Sequence, residues 1–360
     1  MVAAGCGWTP RLEATSAEAL ALHRSSLVLD LHVDTLLWTR LFGYDAGLRH
    51  QNRLPLHPFG FHFDLPRAQE AGLDAAVMGL VINPVQVRPE LIWPLKALHW
   101  WEQEHGVEQA LHTLDLLSNL VDAHPDEVSF VRRGSDILHE VEHGRFVAMA
   151  GLEGAHALEG DLSNLRRLYE RGLRMVGLVH FQATAAGYPM TAPEFYGEGL
   201  TDFGRDLVTE LEELGIVIDL AHLNAAGVWD ALRMMHRPCV VSHTACKALH
   251  DHPRNLSDRQ LELIGRNGGL VGVAAGRDFI GSGGIEAFLD HVEHVIEVAG
   301  PNSVALGSDY DGFIIPAGQM GDVRAYPLVT QGLLDRGQPA QRIAMALGAN
   351  ALRVLITVCG

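Results

Sequence analysis

Short apolar runs recur along this chain at wide spacing, each bounded by turn residues and followed by a helical pattern, and this alternation constrains the fold more than any other feature. Repeated strand-then-helix units build a parallel sheet, because parallel neighbours need a crossover and the crossover is ordinarily a helix. Eight runs qualify, over residues 27–34, 75–82, 146–153, 175–181, 216–222, 239–243, 270–274 and 304–309. Most are nearly continuous in aliphatic residues, as expected of strands covered on both faces. Eight units in 360 residues predict a (β/α)8 TIM barrel forming a single domain over 1–360, with a doubly wound two-domain α/β protein as the alternative. A helical insertion is expected between the second and third strands, over about 88–143, with Trp93, Trp100 and Trp101 in its core. In the run DFGRDLVTELEELG, Asp202 is the candidate N-cap and Gly215 the stop, with Leu207, Leu211 and Leu214 at helical spacing.

A barrel of this kind carries its chemistry at the C-terminal ends of its strands. The first run, LVLDLHVDTL, holds His32 and Asp34 two apart, which a strand's period of two points to the same side. The third run ends at Glu153, the fourth at His180, the fifth at His222, the sixth at His243 and the eighth at Asp309. One histidine after an apolar strand is ordinarily a hydrogen-bonded core residue, and one strand-end aspartate an N-cap. Six such strand ends together would bury several ionisable groups at one mouth, at a cost in desolvation and like-charge repulsion. Divalent cations would offset that cost, and imidazole with carboxylate is the ordinary N and O ligand set of Zn²⁺. The pattern predicts a metal centre.

Charge narrows the partners. The chain has 27 Lys and Arg against 44 Asp and Glu, a net charge of −17, which disfavours sequence-independent binding to nucleic acid or to anionic lipid. A small-molecule or peptide substrate is expected instead. The apolar stretches 146–152 and 216–220 stop well short of the ~20 residues that span a bilayer, so no membrane helix is expected. The first twenty residues have no basic start followed by an apolar run, so a cytoplasmic protein is expected. Cys6, Cys239, Cys246 and Cys359 are scattered, with no CxxC spacing, and read as inert thiols. Basic composition is unusual, with twenty histidines against two lysines, Lys96 and Lys247.

The runs LHVDTL, GLEGAH, LVHF, IDLAH, VVSHTACKALHDHPRNLSD and LGSDYDG, together with the closing GANALRV, resemble those of the membrane (renal) dipeptidase family in the metal-dependent amidohydrolase superfamily. The likeness covers nearly the whole chain in the right order. It implies that His32 and Asp34 bind one zinc, that His222 and His243 bind a second, and that Glu153 bridges the two. It implies Asp309 as the carboxylate that handles protons, His180 as a contact to the substrate carbonyl, and Arg254 as the group that binds the substrate's terminal carboxylate. The activity implied is hydrolysis of dipeptides by a water activated between the metals, with D-residues accepted at the C-terminal position, and the family suggests a homodimer. Two alternatives stay open: an amidohydrolase acting on N-acyl amino acids or lactones, and a barrel kept as a binding module. Some relatives in the superfamily bridge their metals with a modified lysine, but neither Lys96 nor Lys247 falls at a strand end. The chain departs from the family's pattern after His180, where it reads FQATAAGYP in place of polar residues, and in its second strand, DAAVMGLVINP, which lacks an aromatic pair.

Other motifs read as structure. His139, Glu140 and His143 satisfy HExxH, but the run ends at Gly144 and its polar groups fall on one face, with Ile137, Leu138 and Val141 expected inward. His291 and His294 alternate with acidic residues and are expected on a helix surface. The glycines at 281–284 lack the ending of a phosphate loop. Asp311 either supports the site behind Asp309 or caps a turn.

Overall fold

The computed structural model describes residues 15–51, 59–82 and 106–360. Trp93, Trp100, Trp101, Lys96, Cys6 and the start of the chain lie outside those residues. Among the described residues nine strands occur in chain order: β1 (Leu29–Val33), β2 (Ala75–Val81), β3 (Val128–Phe130), β4 (Phe146–Glu153), β5 (Leu173–Gly177), β6 (Val217–Asp219), β7 (Val240–Thr244), β8 (Leu270–Val273) and β9 (Val304–Leu306). Eight of them pair in parallel in the order β2-β1-β9-β8-β7-β6-β5-β4, and β2 pairs back to β4 from Ala75–Val147 to Val81–Glu153, which closes the barrel. The expected (β/α)8 TIM barrel is the observed fold.

The ninth strand corrects the expected insertion. The stretch after β2 is not purely helical: it contains a helix at Gly106–Ala123, then β3, then a helix at Asp136–Glu142. β3 pairs only with the first residues of β4, Phe146 to Ala148, below the level at which β5 begins to pair with Ala150. It is therefore a short outer strand and not a stave.

Two apolar layers hold the barrel. Leu29, Leu31, Val77, Val147, Met149 and Met175 fill its interior, with Val217, Val240, Leu270 and Ala305 completing the packing. The alternate residues, among them Val28, Met78, Ala148, Val176 and Val241, pack outward against the helices. This division follows from the period of two along each stave. Ala351, Val354, Leu355 and Val358 of the last helix, Asn350–Cys359, join the interior cluster and seal the barrel at the end away from the strand C-termini. That helix continues from Ala340 through a π-helical stretch at Met345–Ala349. The combined 20-residue run is long and apolar enough, by length and composition, to cross a bilayer, and half of it is buried inside the fold. The expectation of no membrane helix rested on the stretches 146–152 and 216–220 and did not weigh this run.

Helix ends follow ordinary capping chemistry. The helix Asp202–Leu214 is capped by the Thr201 hydroxyl, which accepts from the Gly204 N–H at 2.9 Å, one residue earlier than the expected Asp202. It stops at Gly215, whose φ of +68° suits a residue without Cβ.

His291 corrects a second expectation. It is buried on the helix Ile285–Ala299, where its Nδ1 accepts from the Cys246 N–H at 3.0 Å, while His294 reaches Asp258 at 2.8 Å near the surface. Spacing signalled this, since Phe288, His291, Val292 and Val295 fall on one helical stripe. His23 is buried similarly: its Nε2–H donates to the Ala71 carbonyl at 2.8 Å, and its Nδ1 accepts from Thr330 Oγ1 at 2.7 Å. Burial lowers both imidazoles to about 4. A folded-state value below the unfolded 6.5 means that the unfolded chain binds more protons between those limits. The stability is complete above about pH 6.5 and is lost as pH falls through about 4, by up to about 3 kcal/mol per histidine. In urea unfolding at pH 7.5 and 4.5, His291→Gln is expected to shrink the pH-dependent part of the stability by about 2 kcal/mol. An unchanged difference between the two pH values would show that His291 protonates freely in the fold.

Candidate functional site

Parity along β1 poses the first problem. Leu29 and Leu31 point into the barrel, so an unbroken alternation would turn His32 and Asp34 outward. The strand solves it with an irregularity: Asp30 pairs with Ala76 but Val33 with Met78, a register shift between them that redirects the end of the strand. β7 does the same, since Val241 pairs with Val271 and Thr244 with Val273, around His243. β4 needs no change of parity to aim Glu153, because Val147, Met149 and Glu153 share one face.

His180, His222 and Asp309 lie beyond the hydrogen-bonded strands, each three residues past the last residue of β5, β6 and β9. The strands are shorter than the sequence suggested because the chain must leave the ladder to aim these side chains. His222 and Asp309 both take left-handed backbone, with φ of +66° and +63°. Such conformations cost about 1–3 kcal/mol in non-glycine residues and cluster at functional sites.

Two buried aspartates tie these loops together. Asp219 accepts from the N–H groups of Ala221 and Ser242, both at 2.9 Å, and from Ser242 Oγ at 2.5 Å. Asp30 accepts from Ser308 N at 2.9 Å, Ser308 Oγ at 2.5 Å, His32 N at 3.1 Å and the Tyr326 hydroxyl. The Ser242 proton is committed to Asp219, so Ser242 Oγ accepts from His243 Nδ1–H at 2.9 Å and leaves the His243 Nε2 lone pair free for the site. Sequence reading missed both aspartates, although an acid inside an apolar strand was a visible signal.

The predicted residues converge. Glu153 Oε1 lies 3.1 Å from His222 Nε2, 3.4 Å from His180 Nε2, 3.5 Å from His243 Nε2 and 3.7 Å from His32 Nε2. His222 Nε2 and His243 Nε2 are 2.9 Å apart. His32 Nε2 and Asp34 Oδ1 approach to 3.1 Å, yet both are buried without a hydrogen-bond partner. Asp309 groups with His32 and His243, with one ligand atom of each within 4.8 Å of the others. β2 makes room: a Cβ on Gly79 would stand 1.9 Å from Asp34 Oδ1, so only glycine fits beneath that carboxylate.

Electrostatics agree with the geometry. Burial, then the Asp34 charge, pushes Glu153 well above the usual carboxylate range, and burial also raises Asp309. Burial drives His180, His222 and His243 well below the usual imidazole value, which leaves them neutral. Against its burial, the Asp34 and Glu153 carboxylates raise His32. Orphaned N and O lone pairs, neutral imidazoles and crowded carboxylates form a donor set that fits divalent metal.

Arg254 sits in the same cavity, of about 260 Å³, and is buried. Its Nη1 contacts Met190 Sδ at 3.4 Å, its Nε has no hydrogen-bond partner among the described residues, and burial lowers it to about 10, so it stays charged at neutral pH. Phe181, Phe279, Phe313 and Ile314 complete the walls; Phe181 opens the stretch after His180 that departs from the family's pattern and was expected to line the pocket, and sequence reading missed the other three because an apolar residue in a loop looks like core. Asp311 does not line the cavity: its carboxylate accepts from Thr35 Oγ1 at 2.6 Å and His62 N at 2.7 Å, which fastens the loop carrying Asp309.

The HExxH run stays apart from this centre. His139 and His143 are exposed and stack on each other at 4.4 Å, Ile137 is buried, and Leu138 is exposed and not inward as expected. Replacing both histidines by alanine is expected to leave the uptake of divalent metal unchanged, as measured by metal analysis of the variant beside the wild type.

Residues 16–359 match the family model for membrane dipeptidases, peptidase family M19. The chain is 30% identical over 259 residues to the dipeptidase verJ of Clonostachys rogersoniana, covering 71% of this chain and 66% of that protein. It is 29% identical over 350 residues to an uncharacterized dipeptidase of Schizosaccharomyces pombe, covering 91% of this chain and 79% of that one. Its fold superposes with a TM-score of 0.80, at 25% identity, on a metallopeptidase of Rhodobacter sphaeroides liganded with a phosphinate mimic of the dipeptide L-Ala-D-Ala, over 92% of this chain and 99% of that one.

Proposed function

Because the chain belongs to the membrane dipeptidase family, peptidase family M19, we propose that it is a binuclear zinc dipeptidase hydrolysing the peptide bond of free dipeptides. The observation that carries this reading is a single carboxylate oxygen of Glu153 surrounded by four imidazole nitrogens, in one small cavity with the buried cation of Arg254. In this reading His32 and Asp34 would hold one zinc and His222 and His243 the other, with Glu153 a ligand available to both. The metals would supply Lewis acidity and a lowered pKa for water.

The chain's own residues do the rest. Asp309, raised by burial, accepts the proton of the attacking water and returns it to the departing amine, acting as base and then as acid. His180, kept neutral, donates a hydrogen bond to the developing oxyanion. Arg254 receives the terminal carboxylate through its planar fork, which restricts substrates to those whose carboxylate lies one residue beyond the scissile bond. The phosphinate ligand of the Rhodobacter sphaeroides relative supports acceptance of a D-residue at the C-terminal position here.

The free guanidinium disfavours lactones, which carry no carboxylate, but leaves N-acyl amino acids as the second reading. Zinc-loaded protein is to be assayed against L,L- and L,D-dipeptides, tripeptides, N-acetyl amino acids and lactones, alongside metal analysis. Two zincs per chain with turnover confined to dipeptides is the expected result. Preferential turnover of N-acetyl amino acids, or no bound metal, overturns the reading.

A further inference from the structure

The charged groups of the cavity are all used by the backbone of a dipeptide, and what remains is apolar. In the dipeptidase reading the carboxylates and imidazoles around Glu153 would face the scissile amide, and Arg254 the terminal carboxylate. The remaining lining, among the described residues, includes Leu37, Val81, Phe181, Phe279, Phe313 and Ile314. The one further charge, Asp278, has a side chain 72% exposed and stands 3.6 Å from Arg277 Nε, so it offers little to a buried cation.

Phe181 is the unusual member. It is 66% exposed, although its ring packs at 4.1 Å on His180 and 5.0 Å on His222. Phe313, 44% exposed, rests on Trp38 at 5.1 Å and takes a left-handed φ of +58°. Phe279 lies 5.6 Å from the Arg254 guanidinium. An aromatic ring held open to water beside a reaction centre costs hydration free energy that an apolar ligand recovers. An acidic or a basic side chain in the same space would lose its hydration against phenylalanine, and with Glu153, Asp309 and Asp34 committed to the metal centre in that reading, neither would gain a buried partner.

Resting on the dipeptidase reading, we propose that this cavity selects dipeptides with bulky apolar side chains, and that Phe181 and Phe313 are specificity-determining residues.

The test is kcat/KM for the zinc-loaded enzyme on Leu-Leu, Phe-Ala, Ala-Ala, Glu-Ala, Ala-Glu and Lys-Ala, repeated with Phe181→Ala and Phe313→Ala. Wild type is expected to favour Leu-Leu and Phe-Ala over the charged dipeptides by at least about tenfold. Each variant is expected to lower the Leu-Leu to Ala-Ala ratio by about tenfold, chiefly through KM. Turnover of dipeptides with no apolar preference, or equal losses on every substrate in the variants, overturns this inference and leaves the dipeptidase reading standing. Failure to turn over any dipeptide overturns both. Phe181 is exposed, so its variant tests binding without emptying the core.

Discussion

Glu153→Gln is expected to lower kcat/KM on dipeptides by at least about 10³-fold, equivalent to about 4 kcal/mol, and to reduce bound zinc below two per chain. The amide keeps the shape of the side chain but removes the charge that four imidazole nitrogens surround within 3.7 Å. Stability should move the other way in chelator-treated protein. Burial and the Asp34 charge raise Glu153 well above its unfolded value, so its ionisation opposes folding at neutral pH, and glutamine relieves that opposition. A higher melting temperature without metal, a smaller rise on adding zinc and lost turnover form the expected signature. Wild-type zinc content and turnover in this variant would remove Glu153 from the centre.

Arg254→Met is expected to raise KM for dipeptides by at least about 30-fold, with a smaller change in kcat, because losing one partner of a buried charged pair costs about 2–5 kcal/mol. Methionine conserves much of the aliphatic stem and gives up only the guanidinium contacts to Met190 Sδ and the Phe279 ring. C-terminally amidated dipeptides supply the control. Wild type should discriminate against them and the variant should not, whereas equal discrimination by both proteins would place the carboxylate elsewhere.

The staves were legible because parallel strands buried on both faces leave long aliphatic runs, and all eight predicted starts lie within two residues of the observed ones. β3 was not, since Val128, Ser129 and Phe130 are too few to show a period. The metal-site residues could be read individually from their positions after apolar runs. Their common direction could not, because it depends on the shift between Asp30 and Val33, which leaves no mark in the sequence. The rim was legible only in part: the departure after His180 marked the stretch that holds Phe181, whereas nothing local separates Phe313, open to water, from Phe288, fully packed. His291 shows the reverse error, where acidic neighbours outweighed a helical spacing that pointed inward.

The last helix, which closes the far end of the barrel, separates two burdens along the molecule's axis. Cohesion resides at that closed end, in the aliphatic interior that Val354, Leu355 and Val358 complete. Recognition resides at the open end, on rings such as Phe181 that contribute little to cohesion. Drift at the rim can therefore retune diet without eroding the scaffold, so descendants of this chain could diverge in what they digest while remaining equally robust.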